Sequence, residues 1–149
     1  MKHLFLLVVG MALIAMNASA AAQSQPVTVQ PGDMKWTDMK DRPGWKQAIL
    51  VGDPEKAGPY VQRIKIPANA SVPAHTHPDT ENITVLAGTF GIGSGPMADK
   101  SKGQVLSPGS FYFLPANTVH FAWTGAEGAT IQIHGVGPSG IKMVEPAKK

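Results

Sequence analysis

The sequence predicts an all-β domain, a sandwich or barrel preceded by a short irregular arm. Three observations carry that expectation. From Lys46 onward, short runs alternate apolar and polar residues and are cut by Gly and Pro signals. Sixteen Gly and thirteen Pro in 149 residues supply many tight turns. Beyond residue 22, no stretch sustains the 3.6-residue period of an amphipathic helix.

Taken in order, residues 1–22 read as a secretory signal. Met1-Lys2-His3 is a short basic start, and Leu4 to Met16 is an apolar stretch too short to span a bilayer comfortably. Ala18-Ser19-Ala20 offers one cleavage site and Ala20-Ala21-Ala22 another, so cleavage near Ala20 or Ala22 is expected. The small residues following the apolar run disfavour an uncleaved anchor. The chain is thus expected to be exported, periplasmic or extracellular, with no stable membrane insertion after cleavage. About 127–129 residues then remain, one domain by length and enough to bury a core.

Residues 23–44 form the expected arm, polar and Pro-bearing, with a short strand at Val27–Val29. Trp36 and Trp45 read as plugs for one end of the barrel, with ligand stacking as the alternative. The barrel is expected over residues 45–149. Its candidate strands are Gln47–Val51, Tyr60–Ile66, Val72–His75, Glu81–Ala87, Thr89–Ile92, Gln104–Leu106, Ser110–Leu114, Val119–Thr124, Ala129–His134 and Gly140–Val144. Residues 93–103 read as a solvated hairpin loop, with a lid as the alternative.

Composition excludes several classes of function. There is no Cys, so disulfides, thiolate chemistry and a lipoprotein anchor are ruled out. The formal charge is +3, and no dense Lys/Arg run occurs apart from Lys148-Lys149, so no nucleic-acid or membrane-surface partner is expected.

Four residues stand at a spacing that reads as a metal cage. His75, His77 and Glu81 lie within His75-Thr76-His77-Pro78-Asp79-Thr80-Glu81, and His120 follows Gly109 and Pro115 downstream. A strand directs alternate side chains to one face, so His75 and His77 point together. Pro78-Asp79-Thr80 reads as a tight connection, with Asp79 solvated. Glu81 shares parity with Ile83 and Val85; an unpartnered carboxylate there would cost several kcal/mol, or stay protonated. A bound cation removes the difficulty. Asn117 suits a left-handed turn position before His120, which shares parity with Ala122 and opposes Phe121 and Trp123.

These segments resemble the two motifs of the cupin superfamily. His75-Thr76-His77, Glu81 and Gly88 fit the first with correct gaps, although Asn69 replaces its leading Gly. Gly109, Pro115 and His120 fit the second, with Asn117 in place of a Gly and Thr124 in place of the final Asn. The departures touch turn geometry, not ligands. The resemblance spans roughly residues 45–145 and implies a double-stranded β-helix, the jelly-roll or cupin barrel. It also implies a homodimer, since edge strands need cover.

Three neutral imidazoles and a carboxylate suit one divalent ion: Fe, Mn, Ni, Co, Cu or Zn. In octahedral geometry two positions stay open for a small-molecule ligand or substrate, whereas four-coordinate zinc would be filled and structural. With no twin arginine, the chain is expected to load metal outside the cytoplasm. The expected walls are apolar, with Phe111, Phe113, Trp123 and His134 as pocket candidates; a strand-end bond to backbone is the alternative for His134. Tyr60 reads as core and Glu127 as solvated. No proton-relay group is apparent beside the cage. The leading expectation is therefore a metal-dependent dioxygenase-type oxidoreductase. The alternatives are a non-catalytic module binding a metal or small ligand, and a metal that only ties the barrel shut.

Overall fold

A computed structural model describes residues 25–145. The expected signal over 1–22 lies outside the described residues. Within them, nine strands pair antiparallel throughout: β1 (Thr37–Asp38), β2 (Lys46–Val51), β3 (Gly58–Ile66), β4 (Ser71–Thr76), β5 (Glu81–Ser94), β6 (Gln104–Leu106), β7 (Phe111–Leu114), β8 (His120–Gly137) and β9 (Lys142–Met143). No helix in this range is long and apolar enough to cross a membrane.

The spine is β8. Its first part pairs with β4, placing His75 opposite His120, and with the end of β5. Its second part pairs with β3, from Ile66 opposite Ala129 to Gly58 opposite Gly137, and with the start of β5. The β5–β8 ladder therefore runs along both packed faces of a double-stranded β-helix, as expected. The remaining strands extend it: β2 pairs with β3, β1 with β2, β6 and β7 with β5, and β9 with β4.

The sequence reading split each long strand in two and turned the chain at 125–128. The structure corrects this: each strand continues through a bend. Gly88 (φ 73°) and Gly128 (φ 72°) sit at the bends in a conformation that disfavours side chains. A Cβ on Gly88 would collide with the Gly128 carbonyl oxygen, so the backbones cross too closely for any other residue. The pairing shifts register between Val85 and Ala87 and between Gly88 and Phe90. As a result, both strands change the parity of their inward face. Glu81 and Ile83 face inward before the β5 bend, and Phe90 and Ile92 after it; on β8, His120 and Ala122 give way to Ile131 and Ile133.

Two other expectations are corrected. Val27–Val29 forms no strand, and Val27 is exposed; it pairs with nothing that would bury it. Phe111 and Phe113 are 61% and 57% exposed. Leu114 pairs with Glu81 and Phe113 with Asn82, so the inward face of β5 meets Leu114, and both phenyl rings point outward.

Inside, Tyr60, Ile64, Val72, Ile83, Ile131 and Ile133 form the centre of one apolar cluster, against which Met39 and Trp45 of the arm pack. Burying each such side chain contributes about 1.5–3 kcal/mol. Trp123 lies on the opposite side of β8, stacked on Phe121 at 5.7 Å between ring centroids. Gly91 and Gly103 leave room for its indole, since a Cβ at either would strike the ring. The Lys100–Gly103 turn thus packs on Trp123, and no residue of 93–103 lines the central cavity, which removes the lid alternative.

Candidate metal centre

Strand geometry assembles the site. His75 is near the end of β4, His77 is one residue past it, and Glu81 and His120 open β5 and β8. Two backbone contacts tie the motifs together. The Asn117 N–H donates to the His77 carbonyl at 2.8 Å, and the Ala116 N–H donates to the Thr80 hydroxyl oxygen at 3.3 Å. Asn117 takes the left-handed conformation expected of it (φ 60°).

The three imidazoles converge. One ring nitrogen from each of His75, His77 and His120 lies within 4.8 Å of the other two. Each Nδ1 is held by a backbone carbonyl: His75 by Pro73 at 2.7 Å, His77 by Gly140 at 2.6 Å, His120 by Thr118 at 3.0 Å. A carbonyl only accepts, so each Nδ1 carries the proton and each Nε2 keeps a free lone pair. This is the tautomer and the orienting bond that metal-ligating histidines require.

Electrostatics agree with that role. Burial lowers the pKa of all three histidines, that of His75 to about 4, so they stay neutral near pH 7. Glu81 is 4% exposed, and its Oε2 is 3.7 Å from His77 Nε2. Burial, with a smaller push from Asp79, raises its pKa to about 8. Glu81 lies outside the converging trio and beside His77, and the three neutral imidazole lone pairs with this buried carboxyl form a donor set lacking its positive charge. The residues present therefore fit a divalent cation.

Asp79 is not solvated as the turn chemistry suggested. It is 7% exposed, and its Oδ2 accepts a hydrogen bond from the Tyr60 hydroxyl at 2.8 Å. Its Oδ1 has no partner among the described residues. Gly135 makes room for the Tyr60 ring, where a Cβ would collide with it. Glu127 is exposed as expected and accepts from the Thr89 hydroxyl.

A cavity of about 460 Å³ opens from the histidines. Its walls include Ile64, Val72, Ile83, Phe90, Ile131 and Ile133, and Gln62 is a buried polar group among them. Of the pocket candidates, none lines it. Phe111 and Phe113 face outward; Trp123 fills its own slot; His134 is exposed, with Nε2 2.9 Å from Gln132 Nε2, because its partner Asn82 lies on the outer face of β5. Sequence reasoning missed Met39 and Arg42 of the arm, and Ser139 to Ile141, all of which border the cavity. No periodicity marked them. Gln62 did carry a signal, sharing parity with Tyr60 and Ile64.

A family model of the ChrR Cupin-like domain matches residues 24–139. No curated protein matches the chain in sequence. Among solved structures, the chain is similar to the polyketide cyclase RemF from Streptomyces resistomycificus, with 20% identity and a TM-score of 0.66 over 83% of this chain and 89% of that one. It is also similar to KdgF from Halomonas sp. (19%, TM-score 0.60, 76% and 96% covered). An RmlC-like cupin from Shewanella frigidimarina gives 18% identity and a TM-score of 0.60, with 77% and 94% covered. At these identities the likeness establishes a shared fold.

Proposed function

The chain belongs to the ChrR cupin-like family, and from that premise we propose that it binds one divalent metal through His75, His77, Glu81 and His120 and acts on a small organic molecule as a dioxygenase-type oxidoreductase. The observation that carries the metal reading is the set of three converging imidazoles whose Nδ1 protons are all committed to backbone carbonyls. When bound, the ion supplies Lewis-acid and redox chemistry toward substrate and dioxygen. The chain's own residues supply the rest. Burial keeps the imidazoles neutral, the apolar walls exclude water, and Gln62 offers a hydrogen bond to orient a substrate. A polyketide cyclase among the similar structures supports a small-molecule substrate without identifying it.

The test is metal content by mass spectrometry after refolding with Fe, Mn, Ni, Cu or Zn in turn. About one ion per chain is expected, with little in His77→Ala or His120→Ala. Equal loading in the variants would sink the metal reading. Oxygen uptake with diketones and flavonols then separates an oxidoreductase from the second reading, a non-catalytic binding module. That reading is favoured by the scarcity of acid–base groups inside: beyond the proposed ligands, the charged residues bordering the cavity are Lys40, Asp41, Arg42 and Glu55 of the connecting segments.

Export is part of the proposal, with a signal over residues 1–22; the mass of the mature N-terminus checks it. So is a homodimer, for which Phe111 and Phe113 provide exposed apolar surface on β7; solution mass checks it.

A further inference from the structure

We propose that Arg42 is the specificity-determining residue of the cavity and that its ligand is a small organic anion with an apolar body. The inference deepens the reading above, since it concerns the same cavity, but the guanidinium needs no metal to act.

Arg42 lies on the arm between β1 and β2 and borders the cavity with Trp45. Its guanidinium carbon is 4.9 Å from the centroid of the Trp45 ring. Stacking of that kind fixes the plane of the guanidinium and leaves its edge free for hydrogen bonds. The backbone holds the loop in shape: Arg42 N–H donates to the Met39 carbonyl at 3.2 Å, and Trp45 N–H donates to the Arg42 carbonyl at 3.0 Å.

The side chain is half-buried and has no acidic partner. Lys46, Lys56 and Lys102 each pair with an aspartate, but Arg42 makes no salt bridge or side-chain hydrogen bond among the described residues. Asp41 and Glu55 border the same cavity, and neither reaches it within ion-pair distance. Burial weakens its hold on its proton, which shows that the group is partly removed from water without a compensating anion. Arg42 lines the same cavity as His75, His77 and His120.

A fixed, half-desolvated guanidinium presents a fork of donors that matches a carboxylate. The space behind it is walled by Ile64, Ile83, Ile131 and Ile133, with the Trp45 indole at its edge. Such a cavity accepts an apolar body whose anionic head remains at Arg42. Two neutral glutamines, Gln47 and Gln62, also line the cavity, while Lys40, Asp41 and Glu55 border it from the connecting segments.

The test compares benzoate with its neutral isostere benzamide by NMR titration of zinc-loaded protein, in wild type and Arg42→Gln, repeated after chelation. Wild type is expected to bind benzoate roughly tenfold more tightly than benzamide, as one charge-assisted pair gives. In Arg42→Gln the ratio falls to about one, and Arg42→Lys, which keeps charge but loses the fork, recovers part of it. A wild type without preference, or an Arg42→Gln protein that keeps it, overturns the proposal; the second result would place the carboxylate elsewhere. Zinc content is measured alongside. Equal loading assigns a lost preference to Arg42. No loading in either protein overturns the metal reading alone, because the chelated comparison still decides the role of Arg42.

Discussion

Replacing Glu81 with Gln should make the metal-free protein more stable at alkaline pH while weakening its hold on metal. The carboxyl titrates near 8 in the folded chain against an ordinary 4.5. Between those values the metal-free folded state keeps a proton that the unfolded state has released, so its stability falls as pH rises, by about 1.4 kcal/mol per pH unit. The histidines act in the opposite sense. Their folded pKa values lie below 6.5, so the stability they contribute is present above pH 6.5 and is lost as pH falls through the folded values, about 4 for His75. At pH 6.5 the unfolded-state histidines are still half-protonated and return about 0.4 kcal/mol each by pH 8, so it is the difference between wild type and Glu81→Gln, in which they cancel, that isolates the Glu81 loss of about 1.7 kcal/mol. Urea unfolding of chelated protein, followed by tryptophan fluorescence at both ends of the interval, measures it. Relative to Glu81→Gln, wild type should lose that amount across the interval. With metal the order of the two should reverse, because only wild type offers the charged ligand. A variant whose stability follows the same pH slope as wild type, or falls more steeply, would refute the reasoning.

The remaining predictions concern packing and buried polarity. Tyr60→Phe removes the one hydrogen-bond partner that the buried Asp79 carboxylate has among the described residues and should cost about 1–3 kcal/mol, read by urea midpoint; Asp79→Asn in the same background should recover part of it. Leu114→Ala should cost about 2–5 kcal/mol, whereas Phe113→Ser, one residue away but outward, should stay within about 0.5 kcal/mol and leave metal content unchanged. Thermal melts of the two side by side check the assigned facing of β7.

The proposed metal ligands His75, His77 and Glu81 were legible because they are local. His75, His77 and Glu81 sit within seven residues, and alternation along a strand and parity with Ile83 suffice to aim them. Asn117 was readable for a similar reason, as one residue type suited to one backbone region. What was not legible depended on pairing between distant segments. Whether Phe111 and Phe113 or Tyr112 and Leu114 face inward follows from the match of Leu114 to Glu81, and a slip of one residue reverses it. Asp79 looked like an ordinary turn residue because its partner, Tyr60, comes from another strand. Arg42 belongs to an arm without periodicity, and only folding brings it to the cavity. The candidate strands were placed well, yet the continuity of β5 and β8 through their bends escaped notice. Glycine signals both a turn and a bend, and the sequence does not separate them.

Those bends have a consequence for how the chain tolerates change. Residues 125–128 act as a frameshift: the inward frame of β8 is even-numbered at His120 and Ala122 and odd-numbered at Ile131 and Ile133. With the crossing at Gly88 and Gly128 kept, deleting or inserting one residue there would put the two frames out of phase, so the histidine and the isoleucine wall would face opposite sides of the strand. Residues 96–99, between the end of β5 and the turn that packs on Trp123, set no such phase and can vary in length at little cost. Gly125-Ala126-Glu127-Gly128 contains no candidate ligand, yet its length matters to the site as much as the identity of His120 does.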